Sequence, residues 1–106
     1  MHVIVYITAS NIKEAKDLVE VIVKERLAAC ANVVERVESV YWWKGTLEKD
    51  NESLIILKTR EDKLDELIER VRQLHSYENP EIVAVPILKG SAEYLKWIDD
   101  ELNPKH

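Results

Sequence analysis

Three short stretches of this chain, Val3–Ile7, Leu54–Leu57 and Ile82–Val85, are apolar at consecutive positions. Successive side chains of a strand point to opposite faces, so a strand with one wet face alternates apolar and polar residues. A run without alternation predicts a strand buried on both faces. These three runs therefore require cover on two sides of one sheet.

Helices for one side can be read from the spacing. Val3–Thr8 is the first strand. Asn11-Ile12-Lys13-Glu14 resembles a capping box, with Glu14 able to reach back to the cap. Ile12, Ala15, Leu18, Val19 and Ile22 follow at helical intervals, and this helix should end near Arg26–Ala28. From Asn32 to Trp43 valines interleave irregularly with charges, which predicts a bulged strand. Lys44-Gly45 is a hairpin turn, and the return strand runs from Thr46 to Lys58. Both arms exceed the usual ~5–6 residues, so the hairpin should project beyond its own domain.

Thr59 then offers an N-cap, and Leu64, Leu67, Ile68, Val71 and Leu74 form the stripe of a second helix. Ser76–Pro80 interrupts it. Ile82–Leu88 is a strand whose Pro86 cannot donate to a ladder, which predicts an edge position or a bulge. Gly90-Ser91 opens a last helix over Ala92–Leu102. The order β-α-β-β-α-β plus a helix is the α+β, ferredoxin-like split βαβ sandwich, with residues 1–106 as one domain. Its two crossover helices share one sheet face. One terminal helix cannot cover the other face, so further subunits must.

The charges narrow the partners. With 15 basic and 20 acidic residues the net charge is −5, which disfavours nucleic acid and anionic membranes. No apolar run approaches the ~18 residues of a membrane span. The apolar N-terminus lacks a basic flank and a cleavage site, so it reads as a strand, and the cytoplasm is the expected location. Cys30 is alone, so no intramolecular disulfide forms, and its small apolar neighbours predict a buried thiol. Gly45 and Gly90 are the only glycines and make no phosphate loop. Cys-x-x-Cys, His-Glu-x-x-His and nucleophile-elbow motifs are absent, which argues against an enzyme.

The most chemically loaded segment is His75-Ser76-Tyr77-Glu78-Asn79-Pro80-Glu81, just past a helix end. Imidazole suits copper, zinc and nickel, and carboxylates can complete a divalent site, so His75, Glu78 and Glu81 are candidate ligands. The competing reading makes His75 a cap favoured by the helix dipole and the two glutamates ordinary loop charges. His2 and His106 are expected to be solvated. Tyr41, Trp42 and Trp43, at the far end of a projecting hairpin, read as interface anchors.

Together these segments resemble the CutA family of divalent-cation tolerance proteins. The matching pieces are Glu25-Arg26-Leu27-Ala28-Ala29-Cys30-Ala31-Asn32-Val33, Ser39-Val40-Tyr41-Trp42-Trp43-Lys44-Gly45 and Leu57-Lys58-Thr59, then His75–Ile82, Pro86-Ile87, Gly90, Tyr94-Leu95 and Trp97. The resemblance implies a homotrimer, a long β-hairpin joining the sheets of neighbours, and a link to Cu(II) or other divalent metal. It also implies a plan similar to the trimeric PII-type signalling proteins, whose clefts between subunits bind small molecules. Copper-binding members can carry a cysteine in strand one, where this chain has Ile7, and paired histidines, where it has Leu74-His75. Only His75 matches a ligand proposed for the family.

Overall fold

The computed structural model describes residues 1–104, so the expectation for His106 lies outside the described residues. Four strands form one antiparallel sheet in the order β2-β3-β1-β4. They are β1 (His2–Ala9), β2 (Cys30–Trp43), β3 (Thr46–Arg60) and β4 (Ile82–Pro86). The helices are α1 (Ile12–Lys24), α2 (Leu64–Leu74) and α3 (Ala92–Leu102). This is the expected split βαβ arrangement. Pro86 does lie on an edge strand, where its missing N–H costs nothing.

The odd positions of β1 and β3 face α1 and α2. Val3, Val5, Ile7, Ile55 and Leu57 are buried there with Leu18 and Ile22 of α1 and Leu67 and Val71 of α2. Asn11 caps α1, its side chain accepting from the Glu14 N–H at 2.9 Å. Glu14 reaches back one residue further than the capping box predicts, accepting from the Ser10 N–H at 2.9 Å. The helix stops at Lys24, earlier than expected, because Arg26 takes a left-handed φ of 60°.

The even positions face the other side. There α3 crosses only one end of the sheet, with Ile98 and Leu102 buried. Asp99 accepts from His2 Nε2 at 2.9 Å and from Arg60 Nη1 at 3.3 Å. His2 is therefore docked, not solvated as its terminal position suggested. Beyond α3 the face stays apolar and open: Val34, Val83 and Val85 are exposed beside Leu54 and Ile56.

Two boundaries differ from expectation. β2 begins at Cys30, two residues early. β3 continues through Thr59 to Arg60, and a 3₁₀ turn over Glu61–Lys63 precedes α2. Thr59 is thus no N-cap. Its hydroxyl is buried and donates to the Leu27 carbonyl at 2.7 Å, tying β3 to the loop after α1.

Candidate functional site

The hairpin outgrows its sheet. β1 pairs with Ser53–Arg60 only, so Val37–Trp43 and Thr46–Glu52 form a two-stranded ribbon past it. A bulge lies where the ribbon leaves the sheet: Val34 opposes Leu54 but Val37 opposes Glu52, leaving one extra residue on β2. Ser53 Oγ pins it by donating to the Glu35 carbonyl at 2.6 Å. Lys44 and Gly45 turn the ribbon with φ values of 49° and 82°, the doubly left-handed turn that suits strand twist.

The ribbon has two unlike faces. Cross-strand pairing puts Val40, Trp42 and Leu47 on one side, all exposed, with Trp42 at 73%. Tyr41, Trp43, Asp50 and Glu52 share the other, where the Tyr41 hydroxyl donates to Asp50. That hydrogen bond, ahead of local burial, pushes the Tyr41 phenol up to about 12.

The second face looks onto the segment after α2. Tyr77 Oη donates to Glu52 Oε2 at 2.7 Å, and Lys44 Nζ at the tip lies 3.8 Å from Glu78 Oε2. Burial first, and the Glu52 carboxylate second, push the Tyr77 phenol up. Between ribbon and segment lies a groove of about 680 Å³. Its walls include Thr8, Tyr41, Trp42, Trp43, Glu52, Tyr77, Glu78 and Glu81. The structure thus joins residues that sequence reasoning assigned to two separate roles. Glu52 was missed altogether. It is only 6% exposed, and nothing in Asn51-Glu52-Ser53 signals a buried carboxylate.

His75 is not part of these walls. It caps α2 with its backbone N–H on the Val71 carbonyl at 2.8 Å, and its ring is buried. Nε2 lies 2.7 Å from the Thr8 carbonyl, which can only accept, so Nε2 donates. Nδ1 lies 3.0 Å from the Tyr77 N–H, which can only donate, so Nδ1 accepts. The ring is the neutral tautomer with no lone pair left for a metal. Within the subunit both ring nitrogens of the expected ligand His75 are thus engaged by backbone groups, and the ring pins the end of α2 to β1. Glu78 and Glu81 are exposed, and no three His, Cys, Asp or Glu residues among those described converge on a metal position. Donors of one subunit do not fit a metal centre. Cys30 is half-buried, its Sγ 3.5 Å from Tyr94 Oη, and is more open than its apolar neighbours suggested.

A four-stranded sheet with two crossover helices on one face, one terminal helix on the other and an overlong β2–β3 ribbon defines a ferredoxin-like protein of a particular kind. The chain belongs to the CutA1 divalent ion tolerance protein family, whose model matches residues 3–101. Protein CutA 1, chloroplastic, of Oryza sativa subsp. japonica is 47% identical over 96 residues, which are 91% of this chain and 54% of that protein. The chain spans about half the length of this relative and of its Arabidopsis thaliana counterpart. The divalent-cation tolerance protein CutA of Archaeoglobus fulgidus is 40% identical over 100 residues, 94% of this chain and 97% of that one. Among solved structures, the periplasmic divalent cation tolerance protein CutA from Archaeoglobus fulgidus superimposes with a TM-score of 0.94 at 39% identity, covering 97% of this chain and all of the other. CutA1 from Oryza sativa gives 0.93 at 43%, covering 98% and 95%.

Proposed function

We propose that this chain is a divalent-cation tolerance protein that works as a homotrimer in the cytoplasm and catalyses no reaction. The family match over residues 3–101 carries the tolerance reading. Two exposed apolar patches support assembly: Val34, Val83 and Val85 on the sheet, and Val40, Trp42 and Leu47 on the ribbon. A lone, unpaired Cys30 suits a reducing compartment. Binding of Cu(II) or another divalent metal enters this reading only as a weak interaction. With the His75 ring engaged, the carboxylates Glu78 and Glu81 are the remaining candidates, and carboxylates favour harder cations over copper. The test is deletion of the encoding gene in its source, with growth measured across rising copper, zinc and manganese. Loss of tolerance restored by the wild-type chain is expected; unchanged tolerance to all three overturns the reading.

The groove favours a second reading, a PII-like trimeric small-molecule sensor. Its 680 Å³ lies within the range of small-molecule sites and far exceeds the space of a bare ion. A thermal-shift screen of metals against metabolites separates the two readings, because only a ligand of the folded state raises the melting temperature.

A further inference from the structure

We infer that the groove beneath the hairpin binds a small organic ammonium, a ligand class that extends the sensor reading and rests on it. Two independent features point to a cation carried on carbon. The first is Glu52. The residue as a whole is 6% exposed, yet only Oε2 is engaged, by Tyr77. Oε1 makes no hydrogen bond among the described residues, and no fully buried side-chain oxygen is left without a partner, so Oε1 keeps accessible surface on a residue that lines the groove. An unpaired carboxylate oxygen at the wall of a cavity is an acceptor for a charged donor.

The second feature is Lys44. Its ammonium sits 5.4 Å from the centroid of the Trp43 ring and 3.8 Å from Glu78 Oε2. An indole face with a carboxylate beside it is the environment that recognises alkylammonium groups. The chain's own lysine occupies the outer part of that environment, while Glu52 waits at the inner part. A flexible diamine can address both: one nitrogen on Glu52, the alkyl stem along Tyr41 and Trp43, the other nitrogen beside Glu78. A compact hydrated metal ion uses neither the indole nor the stem-sized space.

The probe is putrescine, with butanediol as its neutral counterpart, titrated into the intact protein while the indole N–H signals are followed by NMR. Trp43 lines the groove from the inner face of the ribbon, whereas Trp97, on α3, is not among the lining residues and serves as the internal control. Putrescine is expected to move the Trp43 signal and leave Trp97 in place, and butanediol to move neither. Glu52→Gln removes the charge at the inner end and should weaken binding about tenfold. Lys44→Ala removes the internal competitor at an exposed turn and should tighten binding about threefold. Equal shifts with butanediol, undiminished binding in Glu52→Gln, or unchanged or weaker binding in Lys44→Ala overturns the assignment. Should Glu52→Gln fail to fold, Lys44→Ala decides alone. A neutral or anionic metabolite taking the groove in place of putrescine also overturns it, while leaving the sensor reading intact.

Discussion

The Nε2–H of His75 donates to the Thr8 carbonyl at 2.7 Å, joining the end of α2 to the end of β1 across 67 positions of sequence. The same ring takes the Tyr77 N–H on Nδ1 at 3.0 Å and so shapes the segment that floors the groove. His75→Ala leaves both part-buried backbone groups without this partner, at a cost of about 2 kcal/mol. Urea denaturation should show that loss, and calorimetry with Cu(II) should show metal binding at wild-type strength. Abolished copper binding in a stable variant would return His75 to the ligands.

Glu14 makes a second bridge. Its Oε1 accepts from Ser10 and its Oε2 from the Ser76 N–H at 2.9 Å. Burial pushes this carboxyl up, but the hydrogen bonds from Ser76 and Ser10 together outweigh it and hold the group at about 2, below the ordinary 4.5. A depressed folded value contributes stability that is whole above 4.5 and lost as pH falls toward 2. Partial exposure keeps that contribution near ~1 kcal/mol. Glu14→Gln should flatten the stability–pH curve across this window when melts are compared near neutral pH and near pH ~3. An identical acid slope would show that the bridge is not linked to folding.

Trp42→Ala tests the outer face of the ribbon. The side chain is exposed in the subunit, so its truncation should spare the subunit fold and weaken assembly by about 2 kcal/mol or more. Light scattering across a dilution series should detect dissociation at higher concentration than for the wild type. A monomeric wild type, or a variant as tightly assembled as the wild type, refutes the trimer anchor.

Thr59→Val keeps the volume of a fully buried residue and deletes its hydrogen bond to Leu27. The Leu27 carbonyl loses its partner, so about 1 kcal/mol should disappear from chemical denaturation. A variant of wild-type stability would mean that water replaces the bond.

Most of the frame was legible in the sequence because it rests on local periodicity. Val3, Val5 and Ile7, the α1 and α2 stripes, the Asn11 cap and the Lys44-Gly45 turn each announce themselves within a few residues. The exceptions are polar residues whose partners are far away. A threonine ahead of acids reads as a cap, and only the Leu27 carbonyl, 32 positions distant, makes Thr59 a buried strand residue. A histidine past a helix looks the same whether it points into solvent or, as here, back to Thr8. Glu52 accepts from Tyr77, 25 positions on, and no spacing rule connects them. The groove was therefore invisible, although most of its walls had been noticed one at a time.

The bulge between Val34 and Val37 acts as a parity operator. Before it, even-numbered residues of β2 oppose even-numbered residues of β3; after it, even oppose odd. That single extra residue sends Trp42 outward with Val40 and Leu47, and Trp43 inward with Tyr41 and Glu52. Deleting Arg36 would restore simple alternation, and each aromatic would exchange sides with its neighbour. The exposed Trp42 would face the carboxylates, and the Lys44-stacked Trp43 would face outward. Two chemically unlike surfaces are thus kept apart by a count of one.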